Sequence, residues 1–305
     1  MKKLLLLLVA FAFVGTVAAS AADKPRKLVI IAGKPSHPPL MHEFRAGSLL
    51  LENCLKGVPV LTVEVHTNGW VRDEKTFEGA DAVVIYADGG GGHPAVQGNH
   101  KEVLAGLLKR GVGFGCMHYG VEVVPDQAGA LFNDWLGGHY AKDLSCNPIW
   151  EADYLKFPEH PVTRGVQPFK TKDEWYFNIQ FREDLSKVKP ILVAKPSDAT
   201  RDGPYVYPKG PYAHIQAAKG RDETMMWTFE RADGGRSFGF TGGHFHLNWG
   251  NDNQRKVVLN AMLWLAKVEV PKSGVESKIT PEELMANLDP KGAAKPPQPK
   301  KDDKK

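Results

Sequence analysis

The sequence predicts an α/β fold: a parallel β-sheet with helices on both faces, plus added antiparallel strands and long loops. Three observations carry this. Short apolar runs of strand length recur as KLVIIAG (27–33), VLTVEVH (60–66), DAVVIYADGGGG (81–92) and VGFGCMHYG (112–120). The runs are apolar throughout rather than alternating, as strands covered on both faces must be. Between them lie segments with apolar residues at helical spacing, and strand–helix alternation is the signature of parallel sheets.

Taken in order, KLVIIAG is the first strand, and HEFRAGSLLLENCLKG (42–57) is a helix stopped by Gly57. VLTVEVH is the second strand, and DAVVIYADGGGG is a third that runs into four glycines. VQGNHKEVLAGLLKRG (96–111) is an amphipathic helix closed by Gly111, and VGFGCMHYG is a fourth strand entering a glycine turn. Residues 139–235 are rich in Trp, Tyr, Pro and charge, and predict antiparallel additions such as YFNIQF and TMMWTF. RSFGFTGG (236–243) is a last strand. NDNQRKVVLNAMLWLAK (251–267) is a closing helix, capped by Asn251 or Asp252, with Val257, Val258, Ala261 and Leu265 facing inward. No G-x-G-x-x-G follows the first strand, which leaves a dinucleotide site unsupported.

The two ends stand apart from this domain, which spans 27–271. Residues 1–22 combine two lysines, the apolar run Leu4–Val14 and small residues up to Ala22, the pattern of a secretory signal peptide. That run falls short of the roughly 20 residues that span a bilayer, so the expectation is a periplasmic or secreted protein that does not span a membrane. Residues 272–305 are polar and basic and predict a disordered tail, with a short helical turn after Thr280 and Pro281. The formal charge is +4, or +2 without Lys2 and Lys3, and no basic face emerges. Nucleic acid is therefore excluded as a partner. Three cysteines, Cys54, Cys116 and Cys146, cannot build a full disulfide framework.

The histidines fall in a pattern. His37 and His42 follow the first strand, His93 the third, His118 the fourth, and His244 and His246 the last. In open parallel sheets ligands bind beyond the carboxyl ends of the strands, so these six predict a common cleft. Any one loop histidine alone is more often a surface or capping residue.

The segment GFGCMHYG has the strand, glycine-flanked turn and helix of a nucleophile elbow. The spacing favours His118 at its tip with Cys116 inert in the strand. The reverse placement would make Cys116 the thiol of a hydrolase. In GGHFHL, His244 and His246 fall on one side of an extended segment. With His118 or His93 they could hold a divalent metal, zinc or similar. Asp88, Glu122, Asp173 and Glu174 lie near strand ends as ligands or general bases, with His118, Glu122 and Glu174 the catalytic candidates. His37, His42, His93, Tyr119, His139, Trp175, Tyr176 and Trp249 are the substrate-contact candidates. Aromatic faces with polar rims suit a small carbohydrate, although core packing explains aromatics as often.

The succession KLVIIAGKPSH, VVIYADGGGGHP, GFGCMHYGVEV, LGGHY, HPVTRGV, DEWYF and GGHFHLNWGNDNQRKVVLNAMLWLAKVEVP resembles the ThuA-like (trehalose utilization) family, in its secreted branch, from about Lys27 to Pro271. The resemblance implies a flavodoxin-like domain of the class I glutamine amidotransferase-like type. It also implies carbohydrate catabolism through 3-keto sugars. In amidotransferases the elbow carries Cys and a later H-x-E supplies the base. Here His118 takes the tip and the later segment reads GGHFHL, which argues against glutaminase chemistry. The resulting expectation is acid/base chemistry on a sugar or 3-keto-glycoside, with a non-catalytic carbohydrate-binding module as the alternative.

Overall fold

The computed structural model describes residues 24–292; the expected signal peptide and residues 293–305 lie outside the described residues. Eleven strands run in chain order: β1 (Arg26–Ala32), β2 (Leu61–His66), β3 (Ala82–Tyr86), β4 (Gly113–Met117), β5 (Gly138–His139), β6 (Ile149–Tyr154), β7 (Phe169–Glu174), β8 (Gln180–Phe181), β9 (Val188–Ala194), β10 (Glu223–Glu230) and β11 (Arg236–Phe240). The helices are α1 (Phe44–Leu55), α2 (His100–Lys109), α3 (Ala130–Trp135), α4 (Asp198–Asp202), α5 (Ala213–Ala217), α6 (Asp252–Leu265) and α7 (Pro281–Leu284).

Seven strands form one sheet in the order β2-β1-β3-β4-β11-β10-β9. The first five are mutually parallel, and β10 and β9 extend the sheet antiparallel. The apolar runs are explained by this burial on both faces. Side chains of a strand alternate between faces. Leu28, Ile30 and Ala32 of β1 enter one core with α1 and α6, whereas Val29 and Ile31 enter a second core with α2 and α3. Each large apolar side chain buried this way contributes about 1.5–3 kcal/mol. Close strand packing also requires missing side chains: a Cβ on Gly239 would lie 2.1 Å from the Trp227 ring.

Two short antiparallel ribbons, β6–β7 and β5–β8, make up the additions. Of YFNIQF only β8 is strand, because Asn178 adopts a left-handed φ of 56° that interrupts the extended chain. TMMWTF lies within β10 as expected from its β-branched and aromatic content.

Helix α6 starts under Asn251, whose side chain accepts from the backbone N–H groups of Asn253 and Gln254, both at 3.0 Å. It is buried nearly all round rather than on one face. The cause is the segment after it, which was expected to be a solvated tail. Arg255, buried, donates to Ser277 Oγ and the Ser277 carbonyl, and Asn260 Oδ1 accepts from the Val275 N–H at 2.8 Å. Helix α7 is closed by a capping box between Thr280 and Glu283. Further on, Lys291 Nζ pairs with the buried Glu43 carboxylate at 3.2 Å, and Asp289 N–H donates to its other oxygen. The segment 272–292 is thus a strap across the domain. Polar contacts to buried Arg255, Asn260 and Glu43 hold it, together with Val275 in the core and Ile279 and Leu284 against it; so sparse an apolar set gives no periodic signal in the sequence. Among the described residues no helix is long and apolar enough to cross a membrane.

Lys291→Met leaves the Glu43 carboxylate buried beside no cation. Breaking such a pair costs on the order of 3 kcal/mol, so the denaturation midpoint falls and amide exchange across residues 36–44 quickens. An unchanged midpoint and exchange pattern would show that this pair does not hold the strap.

Candidate active site

The carboxyl ends of the parallel strands bring together four side chains from four segments: His42 after β1, His118 after β4, Glu174 at the end of β7, and His244 after β11. The backbone bends sharply to do so. His118 and His42 have left-handed φ values of 51° and 48°, as do His37 and Leu40 in the same loop as His42. Non-glycine residues rarely occupy that region unless the surroundings enforce it.

The elbow has His118 at its tip. Cys116 lies in β4, paired to Ile85 and Gly239, and its side chain joins the core beneath α2 and α3. Burial pushes its thiol well above the usual range, so the thiol-hydrolase alternative has no exposed thiolate to act through.

The donor atoms meet closely. His42 Nε2 lies 2.9 Å from His118 Nε2 and 3.0 Å from His244 Nδ1, and His118 Nε2 is 3.2 Å from His244 Nδ1. Glu174 Oε2 lies 2.7 Å from His244 Nδ1 and 3.7 Å from His118 Nε2. The opposite ring nitrogens fix the tautomers. His118 Nδ1 donates to the Thr241 carbonyl at 3.0 Å, and His42 Nδ1 donates to Asp88 Oδ1 at 2.8 Å. Asn147 Nδ2 donates to Glu174 Oε1 at 2.8 Å. Burial lowers the basicity of both His42 and His118, and neighbouring imidazoles lower it further. Burial raises the Glu174 carboxyl, partly offset by His244. Three imidazole nitrogens and one carboxyl oxygen are a donor set that suits a divalent ion of the zinc class.

Beside this cluster opens a cleft of about 650 Å³, bordered by His37, His42, Glu174 and Tyr176 and walled by Tyr119 and Glu122. The carboxyl of Glu122 is pushed up to about 7, first by burial and then by Glu174, with Lys142 opposing. Burial and the nearby Glu122 raise Tyr119 to about 12. His37 stacks on His42 with ring centroids 3.6 Å apart. The Tyr176 hydroxyl lies 3.5 Å from His118 Nε2.

Several expected residues stand elsewhere. His93 is buried below the elbow: its Nδ1 accepts from Ala95 N–H and its Nε2 donates to the Gly120 carbonyl at 2.8 Å. It braces the turn and does not join the cluster. His246 does not share a side with His244, because the chain enters a 3-10 turn at His246–Gly250 and strand alternation lapses. Its Nε2 donates instead to the Leu284 carbonyl at 2.6 Å, on the strap. His139 lies in β5 against Asn133 Oδ1 at 3.0 Å. Trp175 and Trp249 are core residues, packed on Phe240 from either side. Asp173 is buried and accepts from the backbone N–H groups of Gly243 and Phe245, which holds the His244 loop in place. Asn147, Lys142 and Tyr207 of the cleft gave no sequence signal, since nothing in their spacing distinguishes them from other loop residues.

An open, mostly parallel sheet with a polar cleft at its carboxyl edge, floored by imidazoles rather than a nucleophilic thiol, defines the class of protein. The chain belongs to the ThuA family, described as trehalose utilisation, whose model matches residues 41–265. Two solved structures of putative ThuA-like proteins are similar in fold. The one from Bacteroides uniformis ATCC 8492 has a TM-score of 0.56 at 14% identity, over 82% of this chain and 95% of that one. The one from Parabacteroides merdae ATCC 43184 has a TM-score of 0.55 at 17% identity, over 84% and 93%. A comparison with curated proteins finds no match.

Iodoacetamide applied to the folded protein should leave Cys116 and Cys146 unmodified, because both are buried and their thiols are held above the usual range. Peptide mass mapping reads the result, and rapid labelling of Cys116 would reopen a thiol mechanism.

Proposed function

We propose that the protein is a periplasmic or secreted enzyme of carbohydrate catabolism that acts on a sugar or 3-keto-glycoside by proton transfer. The observation that carries this reading is the cleft itself, which sets the Glu122 carboxyl in one wall beside the imidazole cluster; burial, then Glu174, pushes that carboxyl up to about 7. A base works best when its pKa lies near the operating pH. A cleft of about 650 Å³ is within the range of small-ligand sites, roughly 300–1,000 Å³. The family's description, trehalose utilisation, supports a carbohydrate as the ligand.

The chemistry follows from the carbonyl. A ketone at C3 acidifies the hydrogen on C2. Ionised Glu122 removes that proton, and the C–H electron pair forms an enolate with the carbonyl oxygen. Collapse of the enolate makes the C1–C2 double bond and breaks the C1–O bond, and the departing oxygen takes the proton that Glu122 then carries, which regenerates the base. Reprotonation of the enolate without bond breaking gives isomerisation instead. His118 has no exposed surface and its Nε2 is committed to the cluster, so proton transfer falls to Glu122. The Tyr119 and Tyr176 hydroxyls border the same cleft and would donate to the developing enolate oxygen.

The rate should rise with pH through about 7 as Glu122 ionises, then level off. Glu122→Gln should remove that inflection and lower kcat by about 10²–10⁴. Product analysis with 3-keto and unmodified disaccharides checks both. A pH profile with the same inflection in the Gln variant would refute the role of Glu122. Binding of sugar without conversion would mark a carbohydrate-binding module.

A further inference from the structure

We propose that His42 Nε2, His118 Nε2, His244 Nδ1 and Glu174 Oε2 hold one divalent transition-metal ion of the zinc class. The proposal deepens the reading of this cleft as the functional site, but its argument and its test need no sugar.

The argument starts from what hydrogen bonds permit. The Thr241 carbonyl can only accept, so His118 carries its proton on Nδ1. Asp88 likewise takes the Nδ1 proton of His42. A neutral imidazole has one N–H and one lone pair. Both Nε2 atoms therefore present lone pairs, and they face each other at 2.9 Å. His244 Nδ1 completes the triangle at 3.0 and 3.2 Å. The two facing Nε2 lone pairs need a cation between them, and His244 Nδ1 lies beside them, 2.7 Å from Glu174 Oε2.

Two cations are available to such a site, a proton or a metal ion. A proton can bridge only one pair of these nitrogens at a time and leaves the third without a partner among them. A metal ion uses all three nitrogens and the Glu174 carboxyl oxygen at once. The spacing also fits. Bonds of about 2.0–2.1 Å in a tetrahedron set ligand atoms about 3.3 Å apart, against 2.9–3.2 Å between the nitrogens. Each of three donors is steadied from behind: His42 by Asp88, His118 by Thr241, Glu174 by Asn147. Such outer contacts orient metal ligands and raise their basicity. The cluster reaches the cleft at His42 and Glu174, so a bound ion would stand next to the substrate.

Full-length protein stripped with a chelator is titrated with Zn²⁺ and, separately, with Co²⁺, whose visible absorption reports imidazole ligation. The expected result is one ion per chain. Asp88→Asn should weaken binding by about 10–100-fold. Asp88 is partly exposed, so circular dichroism should show that fold intact. Glu174→Gln should weaken binding further, and His66→Gln, a histidine outside the cluster, should leave it unchanged. The proposal is overturned if the folded wild type shows no saturable binding at micromolar ion, or if Asp88→Asn and Glu174→Gln bind like wild type. Stoichiometric binding without keto-sugar turnover would uphold the ion and count against the proposed reaction alone.

Discussion

Two imidazole rings turned so that their unprotonated nitrogens face each other, buried in the floor of the cleft, are the constraint around which this molecule is arranged. The Thr241 carbonyl sets one ring and the Asp88 carboxylate sets the other. Left-handed backbone at His118 and His42 is what lets the side chains point inward. Such conformations cost of order 1–3 kcal/mol each and persist only where the surroundings over-determine them. Here the surroundings are the β4 elbow, the Asp173 contacts to the His244 loop, and the buried Glu43 beneath the His42 loop.

The supports come from far along the chain. Glu43 accepts from the Leu40 N–H on one side and from the strap on the other, so the loop that carries His42 is clamped by residues some 250 positions downstream. The added ribbon β6–β7 delivers Glu174 to an edge otherwise built by the parallel strands. A generic parallel sheet provides the rim, and the insertions and the strap make it specific. Glu122, in the turn after the elbow, is bridged to Tyr140, and its carboxyl is pushed up by burial and then by the ribbon's Glu174.

The architecture was largely legible. Uninterrupted apolar strands, helical spacing between them and glycine stops predicted the parallel sheet, and the structure has it with α1 and α6 on one face and α2 and α3 on the other. The elbow spacing also placed His118 at the tip ahead of Cys116. The composition of the site was legible only in part. Strand ends located His42, His118 and His244, but the same rule offered His93 and His246, which serve as a brace for the turn and an anchor for the strap. Pattern alone cannot separate a histidine that faces a cleft from one that caps a carbonyl beneath it, because one residue of backbone turn decides the matter. Period-two reasoning failed at His246 for that reason. The strap has few apolar anchors, Val275 in the core with Ile279 and Leu284 against it, and its other attachments are hydrogen bonds to buried polar groups, which leave no periodic trace in the sequence.

In our proposal the floor of the cleft is a cation site built from His42, His118, His244 and Glu174. Anomalous diffraction across the zinc absorption edge, on crystals of protein incubated with Zn²⁺, tests it most directly. The account predicts a single strong peak within bonding distance of all four side chains. A zinc-soaked crystal with the three imidazoles still in mutual contact, and no peak among them, would contradict it.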